Sequence, residues 1–360
     1  MKKMLLKLFL FQIGCLFLLI GYAPATAADR DDELLFSSVF NFDSKGIDIA
    51  FRRGANPNAV DRQTGASILF RAVQGIDLAK AVRREAGDLK GAKSAEAEGV
   101  RVLRLLFQKG AKLSARDDSI LSYAIIFGHG EVVNLLLENG ANPHKRDDGY
   151  SLSELAIKYS QDQIYRTLLA RNAAQVSKED ALQLKLMAAA GSRNRIAVYG
   201  LLKDGAKLNG PDTCGETALV NALALPLFRD ADVEFIEWLL NLGADANLPA
   251  KFKCQGLPRT YPIQNLFKVS VNLDDVALLD RHVFIVDKLL KAGANINAVD
   301  EFGRTVLHIV AGGGKSRPLT AEWLVTQGAD INAQDYKGKT PADVAASWEM
   351  RNAILRKRSP

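Results

Sequence analysis

The chain has 360 residues, 48 % hydrophobic and 24 % charged, a balance that is globular and excludes a disordered or collagen-like polymer. Its formal net charge is +6, and three of the cations, Lys2, Lys3 and Lys7, fall in the first seven residues. The remainder has no concentrated basic face for nucleic-acid phosphates, and the four histidines and three cysteines form no metal-ligand cluster.

Residues 1–27 read as a secretory signal. Lys2 and Lys3 precede an apolar run from Leu5 to Ile20, broken only by Lys7, Gln12 and Gly14, and Ala25-Thr26-Ala27 offers small residues for cleavage. The clean run after Lys7 is shorter than the ~20 residues of a spanning helix, which argues against the alternative of a retained anchor. Lipidation at Cys15 is opposed by Gln12, which stands where that motif has Leu. A periplasmic location follows as the expectation.

From residue 32 onward one phrase recurs. Gly-Ala pairs begin at Gly54, Gly110, Gly140, Gly205, Gly243, Gly293 and Gly328, with Asn172-Ala173 in the gap between the third and fourth. Each follows apolar residues on one helical face, such as Val133, Leu136 and Leu137 before Gly140, or Ile236, Leu239 and Leu240 before Gly243. Each is followed by a turn and a helix opening: Gly65-Ala-Ser-Ile-Leu-Phe-Arg-Ala72, Gly215-Glu-Thr-Ala-Leu-Val-Asn-Ala222, Gly338-Lys-Thr-Pro-Ala-Asp-Val-Ala345. In Gly303-Arg-Thr-Val-Leu-His-Ile-Val310, residues Thr305, Leu307 and His308 match the Thr-Pro-Leu-His-x-Ala motif of the ankyrin repeat, which this chain resembles. The resemblance implies an all-α ankyrin-repeat solenoid of about nine helix-turn-helix units, joined by short β-hairpin fingers and closed by terminal caps.

The units are placed at about 32–57, 61–113, 114–143, 147–175, 178–208, 212–246, 251–296, 300–331 and 335–360, one domain over 28–360. The first, with Asp31, Asp32 and Glu33 at a helix start, and the last, ending in Arg356, Lys357 and Arg358, suit caps. The second carries an insertion at about Leu78–Gly99, whose mix of charge and helix formers predicts an extended helix and a solvated loop. Asn172 and the stretch Val176–Asp180 predict an irregular finger, and unit seven is enlarged at 251–280. Cys214 and Cys254 lie at neighbouring finger tips and are expected to pair, because export implies an oxidising compartment. Gly312-Gly-Gly-Lys-Ser316 imitates a phosphate-binding loop but has Ile309 where that loop needs Gly.

No arrangement for catalysis is present: there is no Gly-x-Ser-x-Gly, no His-Glu-x-x-His, and His129, His144 and His308 fall at repeat positions. The expectation is therefore a binding module with a protein partner, without cofactor, metal or small-molecule substrate. Family positions that face a partner map onto Arg62, Gln63, Arg116, Phe127, Tyr150, Glu216, Glu301, Phe302, Arg304, Tyr336 and Lys339. Exposed aromatics and arginines are the types enriched at interface hot spots. The leading functional expectation is sequestration of a protein, as an immunity protein does with a secreted lipase or cell-wall hydrolase. The alternative is a scaffold for an oxidative-stress enzyme such as catalase.

Overall fold

The computed structural model describes residues 27–61, 64–114, 117, 119–224, 230–250, 259–268, 276–313 and 318–356. Signal residues 1–26 and Cys254 lie outside them. The regular elements among the described residues are helices, apart from one two-stranded hairpin and two isolated bridges, Val60 with Ser67 and Ala250 with Thr260. The chain divides into two compact units, residues 1–147 with 151–175, and residues 148–150 with 176–360.

Unit 1 holds α1 (Ala27–Phe40), α2 (Ser44–Arg52), α3 (Ile68–Glu85), α4 (Leu89–Gln108), α5 (Ile120–Phe127), α6 (Gly130–Glu138), α7 (Leu152–Lys158) and α8 (Asp162–Ala170). The helices α1, α3, α5 and α7 pack on one another in sequence, and each also packs on the helix that follows it, giving two layers. The hairpin β1 (Arg146–Asp147) and β2 (Tyr150–Ser151) precedes α7. Unit 2 repeats the scheme with α9 (Lys178–Gly191), α10 (Arg195–Lys203), α11 (Ala218–Leu223), α12 (Asp230–Asn241), α13 (Pro262–Lys268), α14 (Val276–Lys291), α15 (Val306–Gly312), α16 (Pro318–Thr326) and α17 (Trp348–Leu355). Leu186, Leu219, Leu239, Leu289, Leu307 and Leu324 are among the buried side chains of its continuous core.

The recurring Gly-Ala phrase has a local cause. Each second helix ends by turning into the left-handed region at its glycine, φ +94° at Gly54 and +105° at Gly205, where a Cβ is strained. The alanine that follows donates its N–H five residues back, Ala55 to Ala50, Ala111 to Leu106, Ala244 to Leu239 and Ala329 to Leu324. The glycine itself donates three residues back, Gly54 to Phe51, and the two hydrogen bonds together make a Schellman cap, which satisfies carbonyls the helix leaves open. Most of these alanines are buried, Ala55 6 % and Ala244 6 % exposed, so the position also excludes a larger side chain. Asn172 takes the glycine's place at φ +61°, and Ala173 still donates to Leu168. Residues 173–177 carry no turn or strand where an irregular finger was expected, and Ser177 caps α9.

Two expectations change. The insertion forms no solvated loop: α3 and α4 each extend through it and meet at a three-residue turn, Ala86 to Asp88, with Asp88 capping α4. Gly99 lies so close to Ile76 that a Cβ would come within 2.3 Å of it, so the two helices pack too tightly to admit a loop. In the last unit, residues 341–347 form turns rather than a first helix. Thr340 donates its hydroxyl to Asp343 at 2.7 Å, Ala346 donates back to Ala311 at 2.9 Å, and Ser347 already caps α17.

Candidate protein-binding surface

Two adjacent finger tips in unit 2 are each built on an aspartate whose carboxylate gathers backbone N–H groups across the turn. Asp300 accepts from Phe302 and Arg304, both at 3.0 Å, and Asp335 from Lys337 and Lys339 at 2.8 and 2.9 Å. Burial raises the Asp300 pKa, but the Arg304 guanidinium and these N–H groups outweigh it and hold the carboxyl below its ordinary range. Arg304 reaches Asp300 through Nε at 3.0 Å and Nη2 at 2.8 Å while its guanidinium lies over the Phe302 ring, 4.8 Å from the centroid. The side chains of this tip are thereby fixed.

The next tip is locked to it. Tyr336 donates its backbone N–H to the Phe302 carbonyl at 2.9 Å, and its ring covers Gly303 so closely that a Cβ there would come within 2.6 Å. Phe302 nevertheless stays 52 % exposed and Tyr336 75 %. Glu301 and Lys339 flank them and are exposed. Beneath, His308 Nδ1 accepts from the Thr305 N–H at 3.2 Å, so its Nε2 carries the proton and donates to the Lys339 carbonyl at 3.0 Å. Five of the expected positions, Glu301, Phe302, Arg304, Tyr336 and Lys339, thus form one surface on two adjacent fingers.

The other six do not join it. Arg62, Gln63 and Arg116 lie outside the described residues. Phe127 is half-buried and stacks on Tyr123, with centroids 4.4 Å apart. Tyr150 and Glu216 were expected on the surface and are buried instead, 3 % and 7 % exposed. Tyr150 donates its hydroxyl to Asp212 at 2.7 Å, and Glu216 accepts from the Asn221 amide. Burial, Glu216 and Asp212 together push the Tyr150 pKa far up, so its hydroxyl keeps its proton. Cys214 is buried, 1 % exposed, and donates its N–H to the same Asp212. The Gly-Lys stretch imitating a phosphate loop follows a helix, α15, where that loop needs a strand; residues 314–317 are outside the described ones.

A polar cluster in unit 1 escaped the sequence reading. His129, fully buried, has Nε2 3.2 Å from Asp77 and Nδ1 3.1 Å from the Lys80 ammonium. Tyr123 donates to Asp77 at 2.9 Å, and Lys80 to Glu96 at 3.3 Å. Among the described residues no group of His, Cys, Asp and Glu could hold a metal ion, and no helix is long and apolar enough to cross a membrane.

Comparison with known proteins points the same way. The family model described as ankyrin repeats in three copies matches residues 275–356, and that of a single ankyrin repeat matches 116–148. The chain is 39 % identical over 70 residues to mouse NF-kappa-B inhibitor delta, covering 19 % of this chain and 21 % of that protein. It is 35 % identical over 80 residues to an ankyrin repeat-containing protein of Schizosaccharomyces pombe, 22 % of this chain and 38 % of that one. It is 44 % identical over 59 residues to alpha-latrotoxin-Lg1a of Latrodectus geometricus, 16 % of this chain and 4 % of the toxin. The chain therefore spans well under half the length of each.

Proposed function

Since this chain is an ankyrin-repeat protein, a protein–protein interaction module, we propose that it sequesters a protein partner with the two-finger surface around Phe302 and Tyr336. The observation that carries this is exposure combined with fixation. Two aromatic rings, 52 % and 75 % exposed, rest against the Arg304 guanidinium and against Gly303, so less side-chain entropy is left to lose on binding. Glu301, Arg304 and Lys339 supply a charged rim of both signs.

The compartment we propose is the periplasm, reached through the signal at residues 1–27. The Cys214–Cys254 disulfide belongs to the same proposal: they are the two cysteines after the proposed signal, and an oxidising compartment favours their pairing. The role we favour is neutralisation, as of an immunity protein toward a secreted lipase or cell-wall hydrolase.

The test is affinity capture of tagged, processed protein from the periplasm of its host, repeated with the double variant Phe302→Ala/Tyr336→Ala. A stoichiometric secreted hydrolase that is inhibited on binding, and that the variant binds at least ~10-fold more weakly, is the expected outcome. A resident stress enzyme that stays active when bound replaces neutralisation with scaffolding. Capture unaffected by the double variant removes the finger surface from the reading.

A further inference from the structure

The extra turns of α3 and α4 create an open cleft in unit 1 that stands independently of the finger surface. Lys80 and Arg84, one turn apart on α3, and Leu89, Ala92 and Glu96, on one face of α4, line an open cleft of ≈ 410 Å³. Its walls are already braced. Arg83 grips Glu98 with both Nη atoms at 2.9 and 2.7 Å, Lys80 reaches Glu96 at 3.3 Å, and Glu96 accepts the Glu131 N–H at 3.3 Å where α6 begins. A partner entering this cleft meets a formed site rather than one it has to order.

What the cleft displays is specific. Lys80 and Arg83 are paired, whereas exposed Arg84 has no carboxylate within ion-pair distance among the described residues. In the same lining Leu89 is 65 % exposed and Ala92 is buried. An unpaired guanidinium next to an apolar wall is complementary to a carboxylate next to a large apolar side chain. The apolar wall favours a carboxylate carried beside an apolar side chain over a bare phosphate, which would leave Leu89 uncovered.

We propose that this cleft is a second protein-docking site, taking a segment of a partner protein in which an Asp or Glu lies beside a large apolar residue. The probe is a displayed library of random dodecapeptides selected against the full chain, with the enriched peptides then synthesised. They are expected to share an acid beside an apolar residue and to lose about tenfold in affinity for Arg84→Glu and for Leu89→Ser. Changing the peptide's acid to Lys is expected to restore binding to Arg84→Glu, a charge swap that misfolding cannot mimic. Phe302→Ala/Tyr336→Ala is expected to leave these affinities unchanged, which separates this site from the finger surface. The proposal is overturned if the enriched peptides lack the acid, or if Arg84→Glu leaves their affinity intact. It is equally overturned if the chain sediments as a dimer that Leu89→Ser converts to monomer, since a second copy would then cover the cleft.

Discussion

His129 is the residue at which protonation and stability meet. With its ring neutral, Lys80 donates to Nδ1 at 3.1 Å; with the ring charged, that nitrogen becomes a donor and faces Glu96, 3.7 Å away. Burial works against the charged ring, but hydrogen bonds to Asp77 and Glu96 outweigh it and raise the His129 pKa above 6.5. Burial also works against ionised Glu96, yet His129 and Lys80 outweigh it and lower that pKa below 4.5. The histidine's contribution is therefore complete below pH 6.5 and lost as pH rises through its raised folded value. The glutamate's is present above pH 4.5 and lost as pH falls through its lowered one. Urea midpoints followed by circular dichroism are expected to fall as pH rises above 6.5, and His129→Gln to flatten that slope; a flat wild-type profile would refute the assignment. Asn172, at φ +61°, offers the opposite test: Asn172→Gly is expected to stabilise by about 0.5 kcal/mol, read as a raised urea midpoint.

At the scale of elements, the fingers are joined by asparagine rungs. The Asn247 amide donates to the Gly293 carbonyl at 2.7 Å, and its oxygen accepts the Asn295 N–H, also at 2.7 Å. Asn58, Asn209 and Asn297 repeat the arrangement toward Gly110, Gly243 and Gly328. Ser114 occupies the equivalent place after Gly110 but bonds instead within its own turn, to Asp117 at 2.8 Å. Asn247→Ala removes two such bonds and is expected to cost about 1–2 kcal/mol, measured by chemical denaturation. This level was partly legible beforehand. The Gly-Ala phrase could be read because a Schellman cap is closed within six residues, and the departure from a regular finger after Asn172 because its turn residues are absent. The polar cluster could not, since His129 and Asp77 are 52 positions apart and neither stands out alone. Tyr150 and Glu216 were misplaced for a related reason: their family position is a finger tip, but Tyr150 finds Asp212 62 residues away and turns inward. An extended helix in the insertion was legible from composition, whereas a second one packed directly on it, with Gly99 facing Ile76, was not.

For the molecule as a whole, repeats contact mainly their sequence neighbours, so cooperativity is set by nearest-neighbour terms and need not span the chain. The three tryptophans, Trp238, Trp323 and Trp348, all belong to unit 2, whereas the His129 cluster belongs to unit 1. Tryptophan fluorescence therefore reports one unit and circular dichroism both. Asn247→Ala is expected to shift the fluorescence transition, and His129→Gln to shift only the part of the dichroism transition that fluorescence does not follow. Coincident shifts of both signals in both variants would show that the two units unfold together.

The asparagine rungs have a consequence for how such a chain can change over evolution. The same pair of bonds closes over 52 residues from Asn58, 34 from Asn209, 46 from Asn247 and 31 from Asn297. Joining successive fingers is thus indifferent to how much chain intervenes, and closing a longer stretch adds only a logarithmic entropy cost. New sequence can enter between the helices of a repeat while the register of the fingers is kept. The turn from Ala86 to Asp88 is then a natural grafting point: a foreign helical hairpin spliced there would inherit a ready-made mount.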